Sequence, residues 1–118
     1  MDSVSKQIKE LMDIYKEEVD AVLIEAAQES AEEAAYWVSQ NSPKKRGKYS
    51  QGWRTKHLKK KSVVYNATHP GLTMLLEYGH AKSNGAGRVA GQPHIKPAEE
   101  KGNEKFVETV LNGLDHLL

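Results

Sequence analysis

The sequence predicts an α+β fold in one domain spanning residues 1–118, on three observations: one long uninterrupted helical periodicity, a pair of short β-branched and aromatic runs, and a second helical stripe at the C-terminal end. Val4, Ile8, Leu11, Met12, Tyr15, Val19, Val22, Leu23, Ala26, Ala27, Ala34 and Val38 recur at steps of three and four, the spacing of one helix face. No Gly or Pro interrupts them, so a helix is expected from about Ser3 to Gln40, with Ser3 or Ser5 capping its start and Asn41-Ser42-Pro43 ending it. Ser42–Gly52 (SPKKRGKYSQG) reads as a mobile basic loop. Trp53, Thr55 and His57 alternate with polar neighbours, and Ser62–Asn66 is β-branched and aromatic; together they predict a hairpin turning at Lys59-Lys60-Lys61. Leu72–Tyr78 reads as a short helix closed by Gly79 as a left-handed cap. His80–Gln92 is polar and glycine-rich, which predicts a loop unable to fold alone. Pro93–Lys96 is expected to be extended and Pro97 to open a last helix packed on the sheet. Its buried stripe would be Ala98, Phe106, Val110, Leu111, Leu114 and Leu117, weakened at Gly102 and Gly113 by about 1 kcal/mol each relative to alanine.

The first helix is longer than its own body needs. About 36 residues at ~1.5 Å per residue span roughly 54 Å, whereas a compact chain of this size is ~35 Å across. One end must overhang or bend. The apolar stripe persists through both halves, so an overhang exposes Ile8, Leu11, Met12, Tyr15, Val19 and Val22 unless identical copies cover them. The alternative is a bend near Gln28–Glu33 that folds the helix back on its own domain.

Charge is sharply segregated behind a net value of +1: residues 1–33 carry −7, residues 34–76 carry nine bases and no acid, and residues 77–118 carry −1. That layout suits an anionic partner for the middle third, or head-to-tail contact between the acidic part of one copy and the basic part of the next. The bases are Lys44, Lys45, Arg46, Lys48, Arg54, Lys56, Lys59, Lys60 and Lys61, with Tyr49 and Trp53 interleaved. Such a run can neutralise phosphates while the rings stack or pack, which makes non-specific contact with DNA, or a nucleic-acid-binding module built on the hairpin 44–61, the alternative function.

Signals for catalysis are weak. Cysteine is absent, which excludes disulfides and thiolate chemistry and fits a reducing host cytoplasm. His57, His69, His80, His94 and His116 lie in separate segments without metal-ligand spacing. Ser50 and Ser83 lack a nucleophile elbow, and Gly85-Ala86-Gly87 lacks the Lys-Ser/Thr of a phosphate loop. The expectation is a protein that is not an enzyme and holds no cofactor or metal. No stretch has the ~18 consecutive apolar residues of a membrane span, and Met1–Lys9 lacks the apolar core of an export signal.

The run Leu72–Glu100 (LTMLLEYGHAKSNGAGRVAGQPHIKPAEE), together with Ser42-Pro43, Gly47 and Trp53, resembles the minor tail-component, or tail-completion, family of long-tailed double-stranded DNA phages and prophages. The pattern is a Ser-Pro start, a glycine turn, an L-x-E-aromatic-G segment, a Gly-rich loop and a P-H-I-x-P-A stretch opening the last helix. Gly47, Trp53, Glu77, Tyr78, Gly79, Pro93, Pro97 and Ala98 are the matched structural positions. Arg46 stands where the family usually has Thr. The resemblance covers roughly the C-terminal two-thirds of the chain. It implies a non-enzymatic virion subunit at the head-tail junction: a homo-oligomeric ring, six-fold by analogy, between head-closure and tail-tube proteins around the DNA channel. Gly79 is expected to need positive φ, and Glu77, if buried, to need a partner among Arg88, His80 and a neighbouring copy's lysine.

Overall fold

The computed structural model describes residues 2–44 and 47–117, and the fold is α+β. In chain order it comprises α1 (Asp2–Asn41), a 3-10 turn (Ser50–Gly52), β1 (Trp53–His57), β2 (Ser62–Asn66), a second 3-10 turn (Pro70–Leu72), α2 (Thr73–Tyr78), β3 (Gly79–Ala81), β4 (Arg88–Ala90) and α3 (Ile95–Leu117). The molecule is a rod, 77 × 23 × 20 Å.

α1 runs unbroken through Gln28–Glu33, so the bend does not occur. Ser3 and Ser5 fall inside the helix rather than capping it. Its C-terminal end is closed by its own side chains: Asn41 Nδ2 donates to the Trp37 carbonyl at 2.8 Å, and Ser42 Oγ to that of Val38. Both side chains fold back onto the last turn before Pro43 stops propagation.

α3 lies antiparallel along α1 instead of on the sheet, and it does so through its glycines. A Cβ at Gly102 would sit 3.1 Å from Ala34 Cβ and 3.2 Å from the Ser30 carbonyl, and one at Gly113 would sit 2.6 Å from Val22 Cγ1. Bare positions one helix stretch apart let two backbones approach, and Ser30 Oγ donates to the Gly102 carbonyl at 2.7 Å across the seam. The propensity cost of the glycines is thus offset by packing. Ala26 and Ala98 are buried, and of the expected stripe Phe106, Val110, Leu114 and Leu117 are half-buried, whereas Leu111 is 58% exposed.

The strands form two separate antiparallel pairs rather than one sheet. β1 and β2 pair Trp53 with Asn66 through His57 with Ser62, turning at Lys59–Lys61 as expected. β3 and β4 pair Gly79 with Ala90 through Ala81 with Arg88, within the segment the sequence marks as an unstructured loop. Its glycines serve the turn: Gly85 and Gly87 take φ of 75° and 103°, Lys82 N–H donates to the Gly87 carbonyl at 2.9 Å, and Asn84 Oδ1 accepts from Ala86 N–H. Gly79 does have positive φ (82°), but with ψ 177° it leaves the helix extended instead of adopting a left-handed cap. A side chain there would collide with the Val89 carbonyl, so the position demands glycine twice over.

α3 begins at Ile95, making Pro97 its third residue rather than its first. Helix is reached early because the amides of its first turn have a dedicated acceptor, described below.

Candidate functional site: an overhanging helix and the hub that anchors it

The hub is built on Glu77, only 5% exposed. Its Oε1 accepts from the backbone N–H groups of His94 and Ile95, both at 2.7 Å, and its Oε2 from that of Lys96 at 3.1 Å. The carboxylate therefore caps α3 from a distance of 17 residues in sequence, the favourable placement of a negative charge at a helix N-terminus. Neither Arg88 nor His80 is used. The His94 ring, fully buried, supplies the other contact: Nδ1 lies 3.0 Å from Glu77 Oε1 and 2.7 Å from the Gln92 carbonyl, and Nε2 lies 2.7 Å from the Tyr49 hydroxyl. With two acceptors beside it, Nδ1 carries the proton and Nε2 accepts from Tyr49. Burial pulls the Glu77 pKa upward, but three amide donors and His94 more than offset it and the net shift is down. Burial and the Glu77 charge push the Tyr49 phenol up to about 12.

Around this pair the rings of Tyr49, Trp53 and His94 meet edge-on, with centroids 5.5 to 6.2 Å apart. Trp53 Nε1 donates to Ser42 Oγ at 2.8 Å, tying β1 to the end of α1. Asn66 Nδ2 donates to the Tyr49 carbonyl at 2.8 Å while its Oδ1 accepts from the Thr68 and His69 amides. The segment read as a mobile loop is therefore held: Ser42, Tyr49, Ser50 and Gly52 are buried, and Gly47, with φ 78°, accepts from Gln51 N–H and Ser50 Oγ.

Of the two roles open to these rings, stacking or packing, the structure shows packing. Tyr49 is 7% exposed and Trp53 half-buried, so neither ring faces an incoming base. The ring that does face out is Tyr65, 43% exposed, which pairs across the hairpin with Arg54 on the same face as Lys56 and Val63. Arg54 is turned back to the carbonyls of Gln51 and Trp53. Lys45 and Arg46 lie outside the described residues. Among the described residues, no carboxylate comes within 4.0 Å of Lys44, Lys48, Arg54, Lys56, Lys59, Lys60 or Lys61. Of the remaining matched positions, Ala98 is buried, Pro93 lies exposed just before α3, and Tyr78, expected to be structural, is 72% exposed and outside the hub. Among the described residues no cluster of His, Asp or Glu is arranged to hold a metal ion, and no helix is long and apolar enough to cross a membrane.

No family model, curated protein or solved structure matches the chain.

The second feature is the free end of α1. α3 ends at Leu117 beside Glu18, so residues 3–17 project beyond it, about 22 Å of helix at ~1.5 Å per residue. Val4, Ile8, Leu11, Met12, Ile14 and Tyr15 are 51–66% exposed. Except for Ile14 they continue the same stripe that α3 covers from Val22 onward. Val22, expected at a subunit interface, is instead taken by the molecule's own Gly113, and Val19 is half-buried at the edge. The interface set is thus reduced to Ile8, Leu11, Met12 and Tyr15. The body has little apolar core to spare: five apolar residues are buried among the described residues, against eighteen large apolar side chains left exposed. Completing the burial of the five overhang side chains on the stripe is worth about 1 kcal/mol each, about 5 kcal/mol together. That is near the low end of what association costs.

Proposed function

We propose that this chain is a non-enzymatic assembly subunit, a tail-completion or neck protein of a long-tailed phage or prophage, working as one copy in a homo-oligomeric ring at the head-tail junction. The observation that carries the oligomer is the overhang: one stripe of one helix is covered by α3 over half its length and bare over the rest. What supports the family is that Ser42, Trp53, Glu77 and His94, matched in the resemblance, are the positions that join the end of α1 and the first hairpin to the start of α3. In this reading the motif specifies a rigid end-piece, and head-closure and tail-tube proteins meet surfaces mounted on it.

The test is deletion of the gene from the phage or prophage that carries it, followed by electron microscopy of the particles produced. Filled heads and separate or malformed tails are expected. Normal joined particles in undiminished yield would overturn the proposal.

The basic hairpin favours a role toward DNA within the same ring. Lys56, Lys59, Lys60 and Lys61 are exposed and unpaired by any carboxylate of the described residues, as suits a channel lining that must hold DNA without reading its sequence.

A further inference from the structure

The face that α1 leaves bare has an internal symmetry. At about 100° per residue, Val4, Ile8, Leu11 and Tyr15 lie within about 30° of one line along the helix, and their spacing of four, three and four residues reads the same in both directions. All four are more than half exposed, with Met12 beside them. The charges keep to the other side. Lys6, Lys9, Glu10, Asp13, Lys16 and Glu17 all stand at least about 110° from that line, three bases and three acids that leave residues 3–17 without net charge. The bare face therefore carries nothing to steer a charged partner, and two copies of the overhang approach without net repulsion.

α3 shows how this helix is covered. It lies antiparallel on the stripe and ends at Leu117, beside Glu18. A second overhang laid antiparallel on residues 3–16 runs in the same direction as α3 and continues its line along α1. With a two-fold axis between Lys9 and Glu10, Val4 of each copy meets Tyr15 of the other and Ile8 meets Leu11, while residue 3 meets residue 16, short of the end of α3. A register one heptad nearer the body would drive the tip of the overhang into the last turn of α3. A parallel pair fares worse, because both α3 helices would enter the gap between the two α1 helices at the same level. Antiparallel self-pairing also uses both stripes at once, so the apolar gain of one overhang is doubled against a single cost of association.

Resting on the homo-oligomer reading, we propose that the partner of the overhang is the overhang of a second copy, paired antiparallel about a two-fold axis with Val4 on Tyr15 and Ile8 on Leu11. The contact is isologous and closes at two copies. The pair is a unit of the assembly, and other surfaces propagate a ring of such pairs.

The chain has no cysteine, so introduced single cysteines report the pairing directly. V4C and Y15C are made in the full chain, both at positions more than half exposed. Circular dichroism verifies each fold, and oxidation by copper phenanthroline is read on a non-reducing gel. An equimolar mixture is expected to give a disulfide-linked dimer, whereas each variant alone remains a single chain. In this register the two copies of one cysteine stand about 16 Å apart along the helices, beyond the ~7 Å Cα separation that a disulfide spans. Linking of V4C to itself and of Y15C to itself, as readily as in the mixture, is the signature of a parallel pair and overturns the proposal. Sedimentation velocity of the parent chain keeps the two readings apart. A parent chain that assembles while the mixture does not cross-link overturns the self-pairing and leaves the homo-oligomer standing. A parent chain that is monomeric at every concentration overturns both.

Discussion

Replacing Glu77 with alanine removes the acceptor for three backbone N–H groups at the start of α3 and for the His94 ring. The His94 amide is buried and those of Ile95 and Lys96 partly so. A buried donor left without a partner costs about 1–3 kcal/mol, less where water reaches it, so the sum is about 3–5 kcal/mol. For a domain whose whole stability is of order 5–15 kcal/mol this is a large fraction. Glu77→Gln keeps one oxygen for His94 and Ile95 but turns an amide toward the Lys96 N–H and gives up the charge at the helix end; about 2 kcal/mol is expected. Urea unfolding followed by far-ultraviolet circular dichroism measures both. The acid limb supplies an internal check. Because the folded-state pKa of Glu77 is lowered, its contribution is complete above the ordinary carboxylate value of 4.5 and is lost as pH falls through the lowered folded value. The difference in stability between the parent and Glu77→Gln should therefore shrink on acidification below pH 4.5. A cost under about 1 kcal/mol for Glu77→Ala, or a difference independent of pH, would refute the capping role.

Tyr49, raised to about 12 by burial and by Glu77, stabilises the fold fully below the ordinary phenol value of 10.0 and loses that contribution as pH rises from 10.0 toward 12. In Tyr49→Phe the part of the alkaline stability loss due to this phenol should vanish, as read by denaturant midpoints across that range. Gly79→Ala meets both a positive φ and the Val89 carbonyl, so a cost of about 2–4 kcal/mol is expected, against about 1 kcal/mol for Gly85→Ala, where a Cβ meets nothing within 4 Å. Thermal unfolding of the two variants side by side checks the ranking. Changing Lys59, Lys60 and Lys61 together to Glu should abolish most non-specific affinity for duplex DNA and lower the slope of log affinity against log salt by about 3, measured by fluorescence anisotropy; an unchanged slope removes the hairpin from any DNA contact.

The elements that rest on periodicity were legible in the sequence, and those that rest on backbone groups were not. α1 and the β1–β2 hairpin declare themselves because apolar positions at steps of three and four, or of two, have a face to bury. β3 and β4 lack that signal: Arg88, Val89 and Ala90 are all exposed, and what holds the pair is main-chain bonding made possible by glycines that read as flexibility. The placement of α3 was misread for a related reason. A stripe of leucines advertises a buried face, yet the closest approach to α1 is at Gly102 and Gly113, where the absence of a side chain is what matters.

The hub was half visible. Glu77 stood out as an acid in an apolar helix, but its partners are mostly amides, and every residue has one, so nothing in the sequence singles out His94, Ile95 and Lys96. Whether Tyr49 stacks or packs is not legible from its basic neighbours; a lysine-rich segment can turn its charges outward and still bury the aromatic whose hydroxyl bonds His94. The overhang, by contrast, followed from length alone, since a helix of 40 residues cannot be sheltered by a partner helix of 23.

The most direct test of the account is sedimentation equilibrium of the full chain beside L11E, a substitution at a 56% exposed position on the part of α1 that projects beyond α3. Self-association of the parent protein into a species of several copies, lost in L11E without change in helix content or unfolding midpoint, is the predicted outcome. A parent protein and an L11E variant that sediment identically as monomers at all concentrations would contradict it.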